Sequence, residues 1–273
     1  METVLRAFAE LAALTPEGHQ HLEGLLTKPL ELRPRRKLLD EAKPCDSFFI
    51  VMSGWLQDYR QLKNGRRQIL NFRLPGEVIG IECLLYRRAL YSCMALTACT
   101  VAPVSRAGFE RTLESFPQLA NAFLMSSVRD GAILHEWAVN LGRRPAFQRI
   151  AHLFLELERR LLIMRAHSGA TLPFPLKQQD IADCTGLTAP YVNRILQQMR
   201  NQGLLELHDE SLKICNFDAL ARVAGFQPDY LEVSPQTRCV RTPELPEDTV
   251  HDPVPILALK SAAGAQTAGL TGK

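Results

Sequence analysis

The sequence predicts an α+β chain in three parts: an N-terminal β-roll of jelly-roll type, a long dimerisation helix, and a C-terminal winged helix-turn-helix. Three observations carry this. Glycines at 54, 65 and 76 recur every eleven residues, with another at 80, among short alternating apolar runs. A helical pattern then runs from Pro117 to about residue 142. Finally, two short amphipathic segments flank Thr185-Gly186-Leu187 and lead into a second alternating stretch.

Residues 3–26 read as two short helices, VLRAFAELAAL and one opened by Thr15-Pro16-Glu17. Thr15 suits the N-cap, and Pro16 the first turn, where a missing N–H costs little. From Leu30 the texture becomes β. In RRQILNFRL, Leu70, Phe72 and Leu74 alternate with Asn71 and Arg73, the pattern of a half-buried strand. Asn64-Gly65 predicts a hairpin turn with positive φ at both positions. The strand TACTVAPV, residues 97–104, closes a roll domain of residues 1–116.

The helix of residues 117–142 carries Leu124, Val128, Gly131, Leu134, Ala138 and Leu141 at steps of three and four. That stripe packs either on the chain's own roll or on a second copy. The dimer seam is the favoured reading, because Gly131 and Ala138 let two backbones approach. Arg143-Arg144-Pro145 ends the helix, and residues 146–165 form the next, with Ile150, Leu153, Phe154, Leu157 and Leu161 on one face. Arg143, Arg144, Arg149, Arg159, Arg160 and Arg165 face only Glu156 and Glu158 in this stretch, so it reads as a basic block beside the third domain.

Residues 143–226 form that third domain. In KQQDIADC, Ile181, Ala182 and Cys184 face inward; Gly186 supplies the turn and Leu187 fills the angle between helices. Thr188 is a natural N-cap for the next helix, which puts Pro190 in its first turn. At 100° per residue, Val192, Ile195, Leu196 and Met199 share one face, while Pro190, Arg194, Gln197 and Asn201 lie opposite, with Asn193 and Gln198 at the edges. Arg can hold guanine bidentately and Asn or Gln can read adenine, so this outer face suits a major groove. LLELHDESLKIC then alternates about Asp209-Glu210 as a two-stranded wing, and FDALARVAGF closes the domain. Residues 227–273 are polar, Pro-spaced and aperiodic, which predicts a disordered tail.

Over residues 25–226 this order resembles the Crp/Fnr superfamily of bacterial transcription regulators. The resemblance rests on the four roll glycines, PGEVIG (75–80), TACTVA (97–102), DIADCTGLTAPYVNRIL and FDALARVAGF. It implies a homodimer on palindromic double-stranded DNA, working with RNA polymerase. It also implies that Arg194 is the base-contacting arginine, preceded by Asn193, and that Gln178 and Gln179 hold phosphates. Thr188, Ala189, Pro190 and Gln197 complete the expected DNA-binding set. Pro190 stands where many members carry a base-reading glutamate, and Ala189 where some carry arginine, so the half-site differs from theirs.

The same resemblance makes Gly80, Glu82, Arg88 and Tyr91 the candidate effector pocket. Cyclic AMP is not expected there. Glu82 falls one place late, the Arg-Ser pair that holds the phosphate falls on Ala89-Leu90, and Arg88 enters only by a shift of register. A buried anion without its arginine costs about 3–5 kcal/mol. An iron–sulfur cluster is not expected either, because no cysteine precedes Cys45. His19, His21 and His135 read as ordinary histidines rather than haem ligands, a redox-sensing thiol at Cys83 or Cys93 stays open, and the effector is unknown.

Composition narrows the class further. The chain has 273 residues, 46% hydrophobic and 22% charged, with net charge +3. Seven cysteines without a C-x-x-C pair argue against disulfides or zinc and suit reduced, buried thiols. METVLRAFAE lacks the features of a signal peptide, and FFIVM (48–52) is too short to span a bilayer, so the expectation is a soluble cytoplasmic protein without membrane contact. No catalytic triad, metal-ligand set or phosphate loop occurs, so an enzyme is not expected. The competing reading is a ligand- or redox-sensing module that acts through protein partners with a degenerate helix-turn-helix.

Overall fold

The computed structural model describes residues 1–163 and 171–232. Helices α1 (Glu2–Leu11) and α2 (Pro16–Leu25) open the chain, and Thr15 caps α2, its Oγ1 accepting from Gly18 N at 3.1 Å. The roll comes next: β1 (Leu30–Leu32), β2 (Lys37–Leu39), β3 (Ser47–Ser53), β4 (Leu56–Gln61), β5 (Arg67–Arg73), β6 (Val78–Ile79), α3 (Cys83–Tyr86), β7 (Ser92–Ala95) and β8 (Cys99–Ser105). These strands pair antiparallel into two four-stranded sheets, ordered β1-β8-β3-β6 and β2-β7-β4-β5. Gly54 is indispensable: its φ is +82°, and a Cβ would lie 2.3 Å from Ala98 O.

Helix α4 (Arg106–Ser115) leads into α5 (Pro117–Arg143) and α6 (Ala146–Ile163). The third domain adds β9 (Leu172–Pro173), α7 (Gln178–Thr185), α8 (Ala189–Asn201), β10 (Leu205–His208), β11 (Ser211–Ile214) and α9 (Phe217–Ala224). The wing has three strands rather than two, because β9 pairs with β11.

Four expectations are corrected here. Only Gly65 has positive φ in the β4–β5 turn. Leu62 N donates to Arg66 O and Gly65 N to Leu62 O, so the loop is longer than two residues and needs one left-handed position. The two-residue turn with both φ positive occurs in the wing, at Asp209 (47°) and Glu210 (58°) between paired His208 and Ser211. Second, Asn71 and Arg73 do not face water. Both are buried, because packed chain covers each face of β5. Third, the basic block is largely absorbed. Arg144 pairs with Glu136, Arg149 bonds Thr185 O and Arg144 O, Arg159 pairs with Glu232, and Arg160 is buried. Arg165 lies outside the described residues. Fourth, order continues past residue 226. Pro228–Leu231 forms a 3-10 turn that buries Leu231 and hands Tyr230 Oη to Glu156 at 2.9 Å. The rest of the expected tail, from residue 233, lies outside the described residues.

The long helix has two unlike faces. Leu119, Ala122, Phe123, Ser126, Arg129, Ile133, Trp137 and Asn140 are buried within the chain. The predicted stripe is the other face: Leu124, Val128, Leu134 and Leu141 are exposed, and a Cβ on Gly131 would meet nothing within 4 Å. The stripe therefore does not pack on the chain's own roll.

One apolar core spans the roll and the third domain. It joins Trp55, Tyr59, Ile69 and Phe72 to Ile133 and Trp137 of α5 and to the inner faces of α6, α7 and α8. At its centre lies a polar knot. Arg160 Nε and Nη2 bond the Glu77 carboxylate at 2.8–3.1 Å, Nη1 bonds Asn71 Oδ1 and Glu156 Oε1 at 3.1 Å, and Nη2 bonds Phe72 O at 2.5 Å. Burial opposes this charge, but Glu77 and Glu156 outweigh it and hold Arg160 above its ordinary pKa. Burial raises the Glu77 carboxyl, yet Arg160 brings it below its usual value, whereas Glu156 stays above. Glu77 meets the guanidinium through both carboxylate oxygens, and Glu156 through one.

The wing turn yields a stability test. Left-handed backbone costs a non-glycine residue roughly 1–2 kcal/mol, and glycine returns part of that gain as chain entropy. Glu210→Gly is expected to raise the unfolding free energy by about 0.5–1 kcal/mol in urea titrations. A decrease would contradict the turn geometry.

Candidate nucleic-acid interface

The reading unit is built from α7, a sharp turn and α8. Gly186 takes φ +68°, Leu187 N returns to Ala182 O at 3.0 Å, and Leu187 packs against the core between the helices. Ile181, Ala182 and Cys184 are buried from α7, and Val192, Ile195, Leu196 and Met199 from α8, as their phases require. Thr188 occupies the N-cap, yet its hydroxyl makes no capping bond. Pro190, at the second position of the helix, removes one of the two N–H groups that such a hydroxyl could accept from, and the other, on Tyr191, is not used. Thr188 is exposed, with its hydroxyl uncommitted to the helix.

Gln178, Gln179, Thr188, Pro190, Tyr191, Arg194 and Gln197 are exposed on this surface, and Ala189 and Asn193 are half-buried at its edge. The Arg194 guanidinium lies 5.8 Å from the centre of the Tyr191 ring and pairs with no carboxylate among the described residues. The stacking holds a flat five-donor group outward without using up its donors. Gln179 Nε2 donates to Asp183 Oδ1 at 2.7 Å, and Asp180 closes a capping box with Lys177 N at 3.0 Å.

Sequence reasoning missed what holds this unit in place. Arg67, at the start of β5, bonds Asp183 Oδ2 at 2.7 Å through Nε and Asp180 Oδ1 at 2.9 Å through Nη2. Gln68 Nε2 adds a bond to Cys184 O at 3.1 Å. These contacts pin α7 to the β4–β5 hairpin. The sequence signal was the pair of aspartates facing one side of α7, but nothing local identifies a partner more than a hundred residues away.

The candidate effector residues are only partly gathered. Tyr91 Oη accepts from Gly80 N at 3.3 Å. Glu82 stands before α3, with Oε1 buried and without a bond among the described residues. Arg88 is exposed, its backbone bridged to Pro44. Deeper in the roll, Arg73 bonds Asp58 at 2.6 Å and Asp130 of α5 at 2.5 Å. Burial works against the Arg73 charge, and Asp130 with Asp58 outweighs it. Cys83 and Cys93 are both buried, and burial pushes both thiols up, which disfavours the reactive thiolate. His21 stacks on Phe116 at 4.1 Å and bonds Thr112 Oγ1 at 2.9 Å. No helix among the described residues is long and apolar enough to cross a membrane.

Comparison with known proteins agrees with this geometry. Residues 29–116 match the cyclic nucleotide-binding domain, and residues 148–223 the Crp-like helix-turn-helix domain. The chain is 35% identical over 161 residues to the nitrogen fixation regulation protein FixK of Bradyrhizobium diazoefficiens, covering 59% of this chain and 67% of that protein. It is 28% identical over 220 residues to the transcriptional activatory protein AadR of Rhodopseudomonas palustris, covering 80% and 90%. The structure of FixK2 from Bradyrhizobium japonicum superposes with a TM-score of 0.65 at 27% identity, over 72% of this chain and 96% of that one. Roll, long helix and winged reader thus occur in one order with matching sequence, and the chain belongs to the Crp/Fnr family of transcription regulators.

Proposed function

We propose that this regulator binds palindromic double-stranded DNA as a homodimer, with α8 of each copy in successive major grooves. The observation that carries the reading is the outer face of α8, where Arg194 stands clear of every described carboxylate, flanked by Asn193 and Gln197. Arg194 takes a guanine edge, Asn193 and Gln197 take neighbouring bases, and Gln178, Gln179 and Thr188 hold phosphates. Ala189 and Pro190 offer only apolar contact, which suits a thymine methyl group.

The dimer rests on the unpartnered stripe of α5. Leu124, Val128, Leu134 and Leu141 lie in one line on a 27-residue helix, and Gly131 leaves space at its middle. A second copy of the same helix supplies a matching line. The regulator acts in the cytoplasm with RNA polymerase and is not an enzyme. Its roll answers a signal other than cyclic AMP, because Arg88 of the candidate pocket is exposed, and Arg73 is already neutralised by Asp58 and Asp130.

Two measurements test this. Arg194→Ala should weaken binding to a duplex selected by the unmodified chain by about 1–3 kcal/mol and relax the preference at one base pair per half-site; retained preference would refute the assigned reader. In analytical ultracentrifugation the unmodified chain should sediment as a dimer and Leu134→Asp as a monomer with unchanged circular dichroism. A dimeric Leu134→Asp would place the seam elsewhere.

A further inference from the structure

The tip of the β4–β5 hairpin shares a cleft with the reading unit. The cleft measures about 910 Å³ and is lined on one side by Leu62, Gly65 and Arg66, and on the other by Gln179, Thr188 and Pro190. The hairpin is held there by the bonds of Arg67 to Asp180 and Asp183 and of Gln68 to Cys184 O. Its own turn is closed by Gln61 Nε2 on Gly65 O at 2.6 Å and by Arg66 N on Asn64 Oδ1 at 3.0 Å. Arg67 is neutralised by its two aspartates. Arg66 is exposed, lines the cleft, and has no carboxylate partner among the described residues.

We propose that this cleft takes one strand of the DNA sugar-phosphate backbone, with Arg66 holding a phosphate from the roll side. The inference rests on the DNA reading above and extends the interface to a part of the chain outside the helix-turn-helix. A recognition helix in a major groove about 12 Å wide has a phosphate strand on each side. The strand that passes the first turn of α8 runs between that turn and whatever stands next to it, and in this chain that is the hairpin tip. Gln179 and Thr188 meet the strand from the α7–α8 side, and the Arg66 guanidinium meets it from the other. The one open cation among the described residues lining the cleft thus faces the one polyanion that the opposite wall is shaped to meet. Because Arg67 and Gln68 fix the hairpin to α7, Arg66 moves with the reading helix as one body and needs no separate ordering on binding.

Lys63 provides an internal control. It sits on the same exposed tip and carries the same charge, but does not line the cleft. The experiment measures binding of the full chain to a duplex selected by the unmodified chain from a random pool, across a range of salt. Arg66→Ala should reduce the slope of log K against log salt by about 0.9 per bound copy and weaken binding about five- to tenfold per copy near 0.1 M salt, with base preference unchanged. Lys63→Ala should leave the slope unchanged, and Arg66→Lys should restore most of it. An unaltered slope for Arg66→Ala overturns the proposal. So does tighter binding by Arg66→Ala, which would make the hairpin an obstruction, and so does an equal effect of Lys63→Ala, which would make it a diffuse field. Failure of the unmodified chain to select any duplex overturns the DNA reading together with the cleft, whereas selection with an unaltered Arg66→Ala slope removes the cleft alone.

Discussion

At the Arg160 guanidinium the roll, the long helix and the helix that follows it meet. Arg160 lies on α6, the helix that carries the reading domain, and its donors reach Glu77 and Asn71 of the roll, the Phe72 carbonyl of β5, and Glu156 one turn back on its own helix. Glu156 in turn receives Trp137 of α5 and Tyr230 of the final turn. A buried guanidinium with all three nitrogens occupied tolerates few arrangements, since removing one partner of a buried pair costs about 3–5 kcal/mol. Roll, long helix and reader thus share one buried charge and its acceptors, set inside the apolar core that spans them.

Other contacts depend on that placement. With β5 held against α6, its first residues reach α7, and Arg67 and Gln68 lock the reading unit to the hairpin. With α5 turned so that Trp137 and Asn140 face α6, the opposite stripe of Leu124, Val128 and Leu134 faces outward. Arg73 extends the same ionic design into the roll, bridging Asp58 to Asp130 of α5. Arg73, buried within the roll, is thereby neutralised on both sides.

The parts legible in the sequence are those whose information is local. The Gly186 turn, the phase of Val192, Ile195, Leu196 and Met199, and the two faces of α5 all come from periodicity within a few turns of helix. The polar knot was not legible, because Arg160 and Glu77 are 83 residues apart and a charge on a helix gives no sign of a distant acceptor. For the same reason the arginines of residues 141–165 read as a basic surface, although most are spent on internal partners. Asn71 and Arg73 misled in the opposite sense: alternation in β5 marks one apolar face, but cannot reveal that the polar face is also covered. Turn chemistry misled once, since the glycine dipeptide opened a longer loop and the tight left-handed turn fell on Asp209-Glu210, where the short β10–β11 register leaves only two residues to connect the strands.

Native-state hydrogen exchange on the full chain tests this coupling most directly. If Arg160 makes roll and reader one cooperative unit, the slowest amides of β4, β5, α6 and α8 will open with one shared free energy, and Arg160→Met will lower all of them together. Exchange of the α7–α8 amides through a separate opening of lower free energy, with the roll amides unaffected by Arg160→Met, would contradict it.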